Sequence, residues 1–209
     1  MLLLESKADY HIHANYNDHS SLDMTVPNII RVATKKGLDK IAITEHVRKT
    51  SEWIHEYLQE VYNTKKMTND LEILPGFEAK ILNDGTIDFP EKYKQHYIIA
   101  SFHTKYGKKE DWIYALSSVI EIEYVDVIGH LAPEESFDLT NEELENLARL
   151  LRKNEKVIEL NAKYVRPPLE WLSMFKQHRV KFHLASDAHT LQQIGNFNPI
   201  NHLIKFVEA

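Results

Sequence analysis

The 209-residue sequence contains no cysteine, which excludes disulfides and thiolate metal sites alike. It also lacks a basic block. Its 25 Lys and Arg stand against 31 Asp and Glu, a net charge of −6, so no nucleic-acid footprint is advertised. No apolar run approaches the ~20 residues of a membrane helix. The three leucines at 2–4 precede a charge too closely for a signal peptide. No linker, internal repeat or low-complexity tract appears. With 43% hydrophobic and 27% charged residues, the expectation is one soluble domain over residues 1–209 with a real core. The missing cysteine fits a reducing compartment, and the chain reads as cytoplasmic.

What the sequence does have is histidine, twelve in all and spread along the chain. Short β-like runs at Ala8–His13, Lys40–Thr44, Glu72–Leu82, Tyr97–His103, Val125–His130, Val157–Leu160 and Phe182–Ala185 alternate with helical patterns. Several runs are nearly all apolar ("IAIT", "YIIASF", "FHLAS"), as suits strands buried on both faces of a parallel sheet. Helices are expected in "TVPNIIRVATKKG", "SEWIHEYLQEVYNTKK" starting at Ser51, "TNEELENLARLLRK", "PPLEWLSMFKQHR" and, broken, "TLQQIGNFNPINHLIKF". The first has a Thr cap, an early Pro and a terminal Gly. The third opens with Thr140 and Glu143 spaced as a capping box. About seven alternations predict an α/β fold, a closed or nearly closed barrel rather than a doubly wound sheet, the runner-up.

Nearly every strand ends in a candidate metal ligand. His11 and His13 close the first, with His19 in the loop beyond, and His46 closes the second. Glu78 follows on the third, His103 on the fourth, His130 on the fifth, and Asp187 with His189 on the last. In a (β/α) barrel those ends converge on one face, so seven histidines and two carboxylates should meet in one cleft. Imidazole and carboxylate donors suit Zn, Mn or Fe. The His-x-His pair puts two rings on one strand face about 7 Å apart. A single histidine is usually a surface or hydrogen-bonded core residue, and His55, His96, His178, His183 and His202 are read that way.

The segments "DYHIHAN", "ITEH", "GFEAK", "SFH", "IGH" and "SDAH", in this order, resemble the PHP (polymerase and histidinol phosphatase) family from Asp9 to about Asn196. The resemblance implies a distorted (β/α)7 TIM-like barrel with a trinuclear site that hydrolyses phosphoesters. Two to three divalent ions are implied. One would take His11, His13, Glu78 and Asp187, and a second Glu78, His103 and His130. The third would take His19, His46 and His189, and Glu78 would bridge the first two. "IELNAKYVRPP" before "VKFHLASDAH" is similar to the histidinol-phosphatase branch, although the loops here are shorter.

The expected chemistry is attack by a metal-activated hydroxide on a phosphomonoester of a small metabolite, with histidinol phosphate as one candidate. Asp187 would orient the water or take its proton, with Glu78 and His189 completing the catalytic set. Arg166 is the first candidate to grip the phosphate, with Arg48 and Lys80 as alternatives. Asp9 and Glu45 either orient ligand histidines or point away. The competing readings are a phosphodiesterase or exonuclease, which the acidic charge disfavours, and a metal-binding module without turnover.

Overall fold

The computed structural model describes residues 4–66, 70–131 and 137–209. Leu2 and Leu3 of the opening run lie outside them. Seven strands follow one another as β1 (Ala8–Ile12), β2 (Lys40–Val47), β3 (Glu72–Lys80), β4 (Tyr97–Ser101), β5 (Val127–Ile128), β6 (Val157–Asn161) and β7 (Lys181–Ala185). Between and after them run α1 (Val26–Lys35), α2 (Ile54–Lys65), α3 (Lys109–Ile120), α4 (Asn141–Lys153), α5 (Leu169–Gln177) and α6 (Asn201–Glu208). The strands pair in sequence order, all parallel. β1 and β7 then meet at the bridge Ile12↔Ala188. The result is a distorted (β/α)7 barrel. None of the described helices is long and apolar enough to cross a membrane.

Local signals account for α1 and α4. Thr25 caps α1, its side chain accepting from Asn28 N–H, and Thr140 and Glu143 form the reciprocal capping box of α4. On α4 the buried residues are Leu144, Leu147, Ala148 and Leu151, a single stripe with helical spacing facing the sheet. Two expectations need correction. Helix α2 starts at Ile54, with Trp53 at its N-cap and no side-chain cap. Ser51 instead accepts a hydrogen bond from Arg48 N–H at 3.0 Å, so its hydroxyl is already committed to the preceding turn. Helix α3 was not anticipated, because its N-cap is Lys108 and no side chain caps it.

Two cores hold the barrel. The larger lies between sheet and helices and includes Ile12, Ile29, Tyr57, Phe77, Trp112 and Leu172. The smaller fills the barrel's interior, with Tyr10 and Ala42 joined by Leu74 and Tyr97 and Ile99, Val127 and Val157 beside them. Each fully buried large apolar side chain contributes about 1.5–3 kcal/mol.

Strand β1 departs from simple alternation. Its pairing with β2 shifts register between Asp9 and Ile12, the mark of a bulge, which re-aims side chains. Tyr10 therefore faces inward, stacked on His183, and so does His11, against Glu78 and Glu159. Asp9 turns to the β1–β7 seam, where its carboxylate accepts from Ser186 N–H at 2.9 Å and Gly195 N–H at 2.8 Å. It touches no histidine ring, so the orienting role considered for it is set aside.

Candidate metal centre

The carboxyl ends of the strands deliver the expected side chains to one place. His11, His13, Glu78, His130 and Asp187 are all buried, while His46, His103 and His189 are partly open to the cleft above. Gly129 makes the approach of His130 possible, since a Cβ there would collide with Ser101 Oγ on β4. Asp187 has φ 52, an uncommon conformation for a non-glycine residue and one typical of functional sites.

Glu78 is the hub. Its Oε1 lies 3.1 Å from His103 Nε2 and 2.9 Å from His130 Nε2. Its Oε2 lies 2.7 Å from His46 Nδ1 and 3.6 Å from both His11 Nε2 and His13 Nε2. Asp187 Oδ1 approaches His13 Nε2 at 3.3 Å and His189 Nδ1 at 3.4 Å. Three groups have ligand atoms within 4.8 Å of one another: His11–His13–Glu78, His46–Glu78–His103 and His13–His46–His189. His19 stays at the rim, 60% exposed beside Asp18 and 3.6 Å from it. Its ring centroid is 5.2 Å from that of His46, a member of the third group.

A second layer orients these donors. Glu159 Oε2 lies 2.8 Å from His11 Nδ1. The Nδ1–H therefore donates outward and the Nε2 lone pair faces Glu78, as in carboxylate–histidine–metal triads. Glu159 Oε1 accepts from the His130 backbone N–H and from Asn161 Nδ2 at 2.8 Å, and Asn161 also donates to Asp187 Oδ2 at 3.1 Å. The His189 Nδ1–H donates to the Asp187 carbonyl at 2.9 Å. Glu45 lies 3.9 Å from His13 Nδ1 and accepts from Asn17 Nδ2 at 2.8 Å, so it steadies the loop after β1 more than a ring. Glu159 and Asn161 escaped notice in the sequence because "VIELN" reads as an ordinary buried strand.

The electrostatics show what the cluster accommodates. Burial alone would raise the Glu78 carboxyl, but His103, His11 and His46 hold it well below the usual range. Burial likewise opposes charge on His11, yet Glu159 and Glu78 drive its pKa well above the ordinary value. His46 and His189 are pushed down to about 4 and about 3, mainly by burial, and so present neutral imidazole. Buried atoms without a hydrogen-bond partner include His11 Nε2, His13 Nδ1 and Nε2, Glu78 Oε2 and His130 Nδ1. Orphaned buried donor atoms are costly, and here they converge with metal-ligand chemistry and no thiolate. The residues fit divalent metal ions.

Above the cluster lies a cleft of about 860 Å³ lined by residues that include His19, His46, Arg48, Glu78, Lys80, His103, His130, Asp187 and His189. The five histidines read as ordinary, His55, His96, His178, His183 and His202, do not line it. Arg166 is absent from the lining too. Its backbone folds back onto Asn161 in an antiparallel bridge, and its Nε is buried without a hydrogen-bond partner. The same turn also supplies Lys163, whose Nζ lies 3.3 Å from Asp187 Oδ1. Tyr164 beside it packs on the His130 ring. Nothing in the sequence singles out Lys163 over its neighbours, because the turn geometry decides.

Comparison with known proteins agrees with this architecture. The sequence is 25% identical over 207 residues to the DNA polymerase/3'-5' exonuclease PolX of Bacillus subtilis, covering 91% of this chain but 35% of that protein. It is 29% identical over 217 residues to a "Probable phosphatase" of Photobacterium profundum, covering 95% of this chain and 85% of the relative. The solved structure of histidinol phosphate phosphatase from Lactococcus lactis, complexed with Zn, L-histidinol and phosphate, superposes with a TM-score of 0.75. That likeness covers 99% of this chain and 94% of the other at 20% identity, and it speaks for the fold. The PHP domain match runs over residues 9–163, from the seam aspartate to the cleft lysine, and the chain belongs to the PHP domain family.

Proposed function

We propose that this chain, a single barrel domain over residues 1–209, is a metal-dependent phosphatase acting on a phosphomonoester of a small metabolite, with histidinol phosphate the first candidate. The observation that carries the reading is the convergence of buried, unpartnered His11 Nε2, His13 Nε2 and Glu78 Oε2 beneath an open cleft. His11, His13, Glu78 and Asp187 would hold one ion, and Glu78, His103 and His130 a second. His46 and His189, with His13 or the rim residue His19, would hold a third. The division of Glu78's neighbours between its two oxygens supports its bridging role. Zn, Mn and Fe all suit such donors. When bound, these ions supply Lewis acidity and a water of lowered pKa.

The chain's own groups supply the rest. Asn161 occupies Asp187 Oδ2, which leaves Oδ1 facing the cleft to orient the attacking water and accept its proton. Lys163, 3.3 Å from that same oxygen, is placed to bind a phosphoryl oxygen. Glu159 keeps the His11 ring in one tautomer, and His189 and Glu78 complete the catalytic set. The cysteine-free composition supports a cytoplasmic setting.

Phosphodiester hydrolysis is the second reading, favoured by the PolX similarity along 91% of this chain and opposed by the net charge of −6. The test is phosphate release by Zn- or Mn-loaded protein from histidinol phosphate and p-nitrophenyl phosphate, beside a 5'-labelled oligonucleotide. The expected kcat/KM for the preferred monoester is on the order of 10⁴ M⁻¹s⁻¹ or above. Shortening of the oligonucleotide without monoester turnover would move the protein to the second reading. No hydrolysis of any ester would overturn both.

A further inference from the structure

Strand β3 carries one more same-face residue beyond its ligand: side chains alternate along a strand, so Lys80 stands on the face of Glu78. Arg48 follows directly after the end of β2 at Val47. His46 and Glu78 are opposite each other in the parallel register, and the ladder ends at Val47↔Ala79, so Arg48 and Lys80 are the residues that follow its last pair. Two residues advance a strand by roughly 6–7 Å. Lys80 thus stands one level above the ligand ring, and both cations line the cleft.

Neither is committed elsewhere. Among the described residues the Arg48 guanidinium and the Lys80 ammonium make no hydrogen bond or ion pair, whereas Lys163 on the β6 side is engaged with Asp187. Trp53, the N-cap of α2, lines the same wall and provides no side-chain cap, so the first N–H groups of that helix add positive potential. Glu56 in its first turn offsets part of this. The wall also carries Asp18, 3.6 Å from His19, and Glu52, so it is not a general basic patch. The positive charge is confined to the Arg48–Lys80 pair.

A single phosphate dianion on the metal ions and Lys163 leaves this pair unused. We propose that Arg48 and Lys80 form a second anion subsite, selecting phosphoesters whose leaving group carries a further phosphate or carboxylate several bonds from the reacting phosphorus, over histidinol phosphate, whose leaving group bears an amine and no anion. The proposal rests on the phosphatase reading for the reacting phosphate, but its test needs no turnover. Phosphonates, whose P–C bond survives hydrolases of this kind, serve as probes.

Titration calorimetry on Zn-loaded protein would compare butylphosphonate with 4-phosphonobutyrate and butane-1,4-diylbisphosphonate. The added anion should tighten Kd on the order of tenfold, and the tighter of the two bifunctional probes identifies the preferred group. In the Arg48→Gln/Lys80→Gln double variant the ratio should collapse towards one, and Glu52→Gln should enlarge it. Equal Kd values in the wild type, or a preference that survives in the double variant, would overturn the subsite. A protein that keeps the preference but releases phosphate from no ester would lose the phosphatase reading and retain the subsite. Turnover together with equal Kd values would do the reverse.

Discussion

Both ends of the barrel interior hold histidine among aromatic and acidic neighbours, partly buried at one end and fully buried at the other, yet they are put together differently. At the amino-terminal end, His183 Nδ1 lies 2.8 Å from the Tyr97 hydroxyl and its ring stacks on Tyr10 at 3.8 Å. The Tyr10 hydroxyl in turn donates to Glu5 at 2.6 Å. No buried polar atom of these three residues lacks a partner. At the carboxyl end, His11, His13, Glu78 and His130 are buried but leave nitrogen and oxygen atoms unmatched. A polar cluster packed for structure pairs with itself. One packed for a ligand keeps lone pairs pointed at a common centre, at a cost that only the ligand removes.

That contrast can be broken in four ways. The largest effect is expected from Asp187→Asn, which should lower kcat/KM by on the order of 10²–10⁴-fold while circular dichroism and thermal midpoint report an intact barrel. Wild-type turnover by this variant would remove Asp187 from the mechanism. Next is metal removal. At a thousandfold excess over Kd a bound ion stabilises by about 4 kcal/mol, so chelation should lower Tm measurably in scanning calorimetry. An unchanged Tm would mean that the carboxyl-end cluster is structural after all.

The amino-terminal end should respond to pH instead. Burial pushes His183 down from 6.5 to about 4, so the folded protein resists a proton that the unfolded chain accepts. This histidine therefore costs stability as pH falls from about 6.5 towards 4, and costs nothing above that window. His183→Gln keeps a partner for Tyr97 but cannot titrate, so its deficit at neutral pH should shrink by up to about 3 kcal/mol at pH 4, read from urea midpoints. A constant difference across that range would show that the ring is not held neutral. The smallest effect is expected from Glu159→Gln, which leaves His11 without its anionic acceptor and should weaken metal affinity 10–100-fold, measured by competition with a chelator.

How far the sequence reveals these features depends on where each residue gets its meaning. The barrel was legible because each buried strand is a short apolar run and two of the helices open with local capping chemistry, at Thr25 and Thr140. Helix α3 was not, because Lys108 gives no such signal. Ligand residues stood out because a strand-end histidine breaks an apolar pattern, and all but His19 are drawn into the cluster around Glu78 and Asp187. The supporting residues did not stand out. Glu159 acts through a partner 148 residues away, and Lys163 is aimed by a turn whose path depends on tertiary contacts. The inward turn of both Tyr10 and His11 needs a bulge that alternation alone cannot foresee.

The β1–β7 seam decides when the site can exist. Asp9 and Ser186 stand 177 residues apart in the chain, and a loop of that length costs about 5 kcal/mol of closure entropy. His11 and Asp187 flank the same join, so neither can share an ion with the other until the final strand has docked against the first. The part of the site that joins His11 to Asp187 is therefore complete only once this seam is made, a contact of high sequence separation of the kind that forms slowly. A chain stalled before that docking would hold at most a partial set of ligands, which makes tight metal uptake a marker of the finished barrel rather than a seed for it.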